Sequence, residues 1–72
     1  MKKIKKIKIK VNGKIKNISE NTSLLDIVKS LKIPIKKVAI ELNEEIVDKK
    51  KLNITKLKTN DKIEIVHFIG GV

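Results

Sequence analysis

The run Ile7-Lys8-Ile9-Lys10-Val11, followed at once by Asn12-Gly13, constrains this chain more than any other feature. Strict alternation of apolar and charged residues has the two-residue period of a strand with one face in a core and the other in water. Asn-Gly is the strongest short hairpin signal, because both residues enter the left-handed turn conformation at little cost. The chain therefore opens on an antiparallel hairpin whose second strand covers about residues 14–19. Two turn geometries compete. A two-residue turn pairs Val11 with Lys14 and aims Ile15 away from the core. A three-residue loop with a glycine bulge sets Ile15 opposite Val11 and leaves Ile18 out of phase unless a further bulge intervenes. The longer loop is the expectation.

After a polar link at residues 20–22 the period changes. Ser23 precedes Leu24, Ile27, Val28 and Leu31, which share one helical face at i, i+3, i+4, i+7 spacing. Asp26 stands three residues after Ser23, close to a capping box. Lys29 and Lys32 suit the negative end of the helix dipole. Pro34 is expected to stop the helix at about Lys32. Alternation returns with Val38, Ile40 and Leu42, then a turn at Asn43-Glu44 and a short extended piece at residues 45–47. Residues 48–52 read as a solvated loop. Leu52, Ile54 and Leu57 are expected to plug one end of the core. Thr59-Asn60-Asp61 reads as a turn, and residues 62–68 as a last strand with Ile63 and Ile65 inward. The order is strand, strand, helix, strand, short strand, strand. It fits an α+β fold in which a mixed sheet of four to five strands packs on one helix, with the first and last strands parallel at its centre. This is the β-grasp, or ubiquitin-like, architecture.

With 72 residues the chain reads as one domain over residues 1–72, with a Lys-rich lead-in at 1–6 and a flexible tail at 69–72. A domain this small buries only about 60% of the surface its unfolded chain exposes. A large core and a deep catalytic cleft do not both fit. There is no cysteine, which excludes thiol catalysis, disulfides and thiolate metal sites. The net charge of +10 points first to polyanions. Yet every basic side chain is Lys, none is Arg, and Phe68 is the sole aromatic. Arg forks and stacking rings are the usual instruments of nucleic-acid readout. A basic nucleic-acid-binding module is thus the distant alternative, and salt-dependent binding to generic DNA or RNA would favour it. No stretch resembles a signal peptide or a membrane span, so the expected location is the cytoplasm.

The segment Val38-Ala39-Ile40-Glu41-Leu42-Asn43-Glu44-Glu45-Ile46-Val47 resembles the middle of the bacterial thiamine-biosynthesis sulfur carriers. Asn60-Asp61-Lys62-Ile63-Glu64-Ile65-Val66-His67-Phe68-Ile69-Gly70-Gly71 resembles their last strand and tail, and Val11-Asn12-Gly13-Lys14 their first turn. The molybdopterin sulfur carriers share fold and tail, but often approach Gly-Gly through a Pro-rich stretch that this chain lacks. The resemblance implies a protein that is not an enzyme and binds no cofactor. It implies that an activating enzyme of the ubiquitin-activating type spends ATP to adenylate the tail carboxylate. Sulfur from a donor such as a cysteine desulfurase then makes a thiocarboxylate, which thiazole synthase or another acceptor consumes. Carriers for molybdenum or tungsten cofactor, cysteine or methionine, and ubiquitin-like protein modifiers, are the alternatives within the same architecture.

The resemblance maps covalent attachment onto Gly71, within the tail Gly70, Gly71 and Val72. The chemistry suits glycine. A carboxylate is a poor electrophile until AMP is joined to it, and that carboxylate must be reached inside a narrow site. Two residues without Cβ can thread a channel that side chains would block. Val72 departs from the pattern, since many relatives end in glycine. Three readings stand: a peptidase removes Val72, the activating enzyme accommodates it, or the chain serves another pathway. Trimming is preferred.

Ile63 and Ile65 inward would leave Val66 and Phe68 on the opposite face, shared by Ala39. With Ile69 they form the expected partner-docking patch, unless the N-terminal segment around Ile4 covers it. His67 is the only histidine, with neither convergent ligands for a metal nor an orienting partner for a base. It reads as a strand-end residue.

Overall fold

In the computed structural model, which describes residues 5–68, the elements follow the expected order. They are β1 (Lys6–Val11), β2 (Lys14–Ser19), α1 (Leu24–Ser30), β3 (Val38–Leu42), β4 (Glu45–Ile46) and β5 (Lys62–His67). Single 3₁₀ turns cover Ile35–Lys37 and Lys49–Lys51. The sheet order is β2-β1-β5-β3-β4, with β1 and β5 parallel and the other pairs antiparallel. Helix α1 packs on one face. Its Leu24, Ile27 and Val28 meet Ile9, Val11, Val38, Ile40, Ile63 and Ile65 from the sheet, with Leu52 and Leu57 closing one end.

The hairpin takes the shorter of the two turns, so the three-residue loop expected above is corrected. Val11 pairs with Lys14, with Asn12 at φ 49° and Gly13 at φ +83°. Two left-handed residues in succession give a turn whose twist matches the strands, and no bulge is needed. The consequence runs along β2. Ile15 is thrown outward and is 65% exposed, whereas Ile18, opposite Ile7, is in phase and half-buried.

Three further expectations change. Lys6, placed in the lead-in, is the first residue of β1, and Glu20 N–H bonds to the Lys5 carbonyl at 2.7 Å. Ile54 does not plug the core: it is exposed, because the stretch folds into a turn that points only Leu52 and Leu57 inward. Residues 49–51 are exposed as expected but form a 3₁₀ turn rather than an irregular loop, capped by Asp48, whose carboxylate accepts from Lys50 N–H at 2.9 Å.

The helix starts as its sequence dictates and ends by another device. Asp26 N–H donates to the Ser23 hydroxyl and Ser23 N–H donates to the Asp26 carboxylate, both at 3.1 Å, completing the capping box. At the other end Lys32 takes a left-handed φ of 56°. Its N–H reaches the Lys29 carbonyl at 3.0 Å, and Ile33 N–H reaches the Val28 carbonyl at 3.4 Å. This Schellman pattern stops the helix at Ser30, two residues before the Lys32 expected from Pro34.

The Ser23 N–H, and after it the Ser23 hydroxyl, hold the Asp26 carboxyl below its ordinary value of 3.8. A depressed carboxylate pKa stabilises the fold above the unfolded value, and that stabilisation is lost as pH falls through the folded value. Apart from any titration, loss of the cap hydroxyl in Ser23→Ala should cost about 1 kcal/mol. Asp26→Asn should flatten the loss of stability below about pH 4. Thermal melts across pH test both, and a melting profile unchanged in either variant would contradict the role given to this cap.

Candidate functional site

The candidate site is the end of β5 and the open face of the sheet. Two sets of bonds fix β5 at the centre. On the β1 side Lys10 N–H donates to the Asp61 carbonyl at 2.9 Å and Asn12 N–H to the Ile63 carbonyl at 2.8 Å. Beyond Val11 the chain turns away, and the Asn12 side chain continues the ladder. Its Oδ1 accepts from Ile65 N–H at 2.7 Å and its Nδ2 donates to the Ile65 carbonyl at 3.4 Å. Asn12 reads from sequence as turn chemistry alone, and nothing local reveals this second task. On the β3 side the register runs from Leu42 opposite Ile63 to Val38 opposite His67. One more bond, Phe68 N–H to the Lys37 carbonyl at 3.0 Å, carries the pairing a residue past the strand.

Alternation then sorts the side chains. Ile63 and Ile65 are buried, and Val66 and Phe68 point away from the helix at 53% and 61% exposure. Ala39, directly opposite Val66, is half-buried on the same face. Ala39, Val66 and Phe68, the residues expected from sequence to share a face, thus lie together on the open side of the sheet. Ile69, Gly70, Gly71 and Val72 lie outside the described residues, as does Ile4.

Two residues that the sequence reading missed join this face. Ile46 pairs with Glu41, which pairs with Glu64, so Ile46 projects outward beside them and is exposed. The signal was the two-residue turn at Asn43 and Glu44, both with positive φ, which sets that register. Lys49 places its ammonium 5.2 Å from the centre of the Phe68 ring. No local pattern marks this contact, because it joins residues nineteen apart along the chain. At an exposed site such a cation–π contact contributes about 0.5–1 kcal/mol. His67, the last residue of β5, is exposed, as expected of a strand end. Among the described residues no three His, Cys, Asp or Glu side chains come together as a metal site would need. No helix there is long and apolar enough to cross a membrane.

Comparison with known proteins gives a consistent result. The model of the ThiS family matches residues 9–71. The sulfur carrier protein ThiS of Bacillus subtilis is 36% identical over 64 residues, which cover 88% of this chain and 97% of that one. The thiazole synthase of Magnetococcus marinus is 37% identical over 65 residues, 90% of this chain. The present chain spans only 20% of that synthase's length. Among solved structures, the crystal structure of a thiamine biosynthesis protein (ThiS) from Geobacter metallireducens superposes with a TM-score of 0.80 at 28% identity. That superposition covers 92% of this chain and all of the other.

Proposed function

The chain belongs to the ThiS family, and we propose on that footing that it is a sulfur carrier of thiamine biosynthesis, a co-substrate whose chemistry its partners perform. The observation that carries this reading is that the family match runs through Gly70 and ends on Gly71. That end point supports Gly71 as the residue whose carboxylate is activated. The step requires hydrolysis of the Gly71–Val72 peptide bond by a peptidase, releasing Val72 and freeing the glycine carboxylate.

The chemistry then balances simply. A Gly71 carboxylate oxygen attacks the α-phosphorus of ATP on an adenylating enzyme and pyrophosphate leaves. A persulfide sulfur carried by a donor such as a cysteine desulfurase attacks the acyl adenylate and AMP leaves. A thiol reductant then cleaves the acyl disulfide so formed, ending as a mixed disulfide with the donor sulfur, and a thiocarboxylate remains. The acceptor is thiazole synthase, a reading supported by synthases that carry a stretch similar to this chain within their own length. Ala39, Val66 and Phe68, with Ile69, form the surface on which the adenylating enzyme seats the carrier. The end of the central strand β5, held on both sides, fixes where the tail begins, and side-chain-poor glycines let it enter a narrow active site.

Incubation of a chain ending at Gly71, and in parallel of one that keeps Val72, with an adenylating enzyme, ATP, a sulfur donor and a thiol reductant tests the reading by intact mass. The expected product ends at Gly71 and has one oxygen replaced by sulfur. Absence of ATP-dependent pyrophosphate release would overturn it, and a thiocarboxylate on a chain still ending in Val72 would overturn the trimming step alone.

A further inference from the structure

The open face of the sheet carries a second feature that the tail and its apolar patch do not use. The alternation of β1 puts Lys6, Lys8 and Lys10 in one exposed row. The parallel register sets Lys62 directly beside Lys10. Lys8, Lys10 and Lys62, with Asn60 and the outward Ile15, line a concavity of about 320 Å³. It is rigidly built, since Asn60 N–H donates to the Lys8 carbonyl at 2.7 Å, tying the 59–61 turn to β1.

Among the described residues the charge there is offset at one position only, by Glu64 beside Lys62. The neighbours of the lysine row on β2 are Ser19, Asn17 and Ile15, none of them acidic. Among the described residues the sole ion pair is Lys62 with Glu64, at 3.9 Å and largely exposed, a geometry that contributes little. Like charges set side by side on adjacent strands oppose folding, so the fold does not require Lys62 next to Lys10. We propose that this lysine-lined concavity is a second docking site, taking a carboxylate-rich surface of the adenylating enzyme that seats Phe68. The inference rests on the docking role given to Phe68 above.

Geometry lets one partner cover both. Lys62 and Phe68 are six residues apart along β5, about 20 Å at strand rise. A standard interface of about 800 Å² per partner is roughly 30 Å across. The other polyanion, nucleic acid, fits less well. The one aromatic that could stack on a base, Phe68, lies at the far end of the strand from the lysines.

The test is association kinetics between the full chain and the adenylating enzyme, at low and high salt. Lys8→Gln, Lys10→Gln and Lys62→Gln are combined in one variant. A second variant removes the same charge from the helix side and its surroundings, with Lys29→Gln, Lys32→Gln and Lys56→Gln. The first should associate about tenfold more slowly at low salt. The difference should vanish near 1 M salt, where the screening length is about 3 Å. The second should slow far less. Equal slowing in both variants would reduce the effect to net charge and overturn the proposal, as would no slowing in either. Unchanged enzyme association together with weakened binding to generic RNA would also overturn it and reassign the site to nucleic acid. Phe68→Asp, run alongside, separates the two claims. If it blocks association while the first lysine variant behaves as wild type, only the lysine site falls. If Phe68→Asp has no effect, the docking role of the apolar patch falls with its own evidence. Thermal melts of each variant confirm that the fold is retained.

Discussion

A chain truncated after Ile69 folds normally and transfers no sulfur. The core explains the first half of this expectation. Its buried residues run from Ile9 to Ile65, and the backbone pairing of β5 extends to Phe68 through the Lys37 carbonyl. Among the described residues, the strand pairing and core contacts that hold the sheet together are complete by Phe68. The second half follows from where the chemistry occurs. Without Gly71 the new carboxylate sits two residues nearer the globular body, on the backbone of an isoleucine with its β-branched side chain. An active site shaped for a backbone without Cβ then receives neither the reach nor the width it needs. A melting curve and intact mass after incubation with ATP, sulfur source and adenylating enzyme give the two readouts. Sulfur incorporation by the truncated chain would remove the basis of the proposed function.

Phe68→Asp comes next in size. The ring lies outside the core at 61% exposure, so its loss opens no cavity. It forfeits the Lys49 contact, but an aspartate near that ammonium retains some attraction. Stability should therefore stay within about 0.5 kcal/mol of wild type. Binding behaves differently. A buried aromatic anchor at an interface typically contributes 2 kcal/mol or more, about 30-fold in affinity. The aspartate adds the cost of an unpaired charge placed where an apolar pocket expects a ring. Association with the adenylating enzyme should become undetectable by titration calorimetry while the fold persists. Wild-type affinity in a folded Phe68→Asp protein would show that this patch is not the docking surface.

These expectations draw on different layers of information. Periods of two and of 3.6 residues placed β1, α1, β3 and β5 and chose most of their buried faces, because side-chain direction along a strand or helix follows from backbone geometry alone. Ser23 and Asp26 announced the helix start, since a capping box is closed within four residues. The resemblance through Gly70-Gly71 was likewise legible without coordinates. What the residues alone misjudged was register and termination. Ile15 is equally apolar whichever way it points, and only the two left-handed turn residues, acting with the twist of both strands, send it into solvent. Lys32 gives no sign that it will adopt the conformation usually reserved for glycine.

The chain's own sequence thus determined its elements, its fold class and the nature of its tail, for these depend on local geometry and on residues adjacent in the chain. Tertiary structure alone decided that Asn12 would clamp β5, that Lys49 would meet Phe68, and that Lys10 and Lys62 would stand side by side. Each of these joins residues far apart in sequence. Such neighbours are set by how the sheet closes around its shared core, which no local pattern encodes.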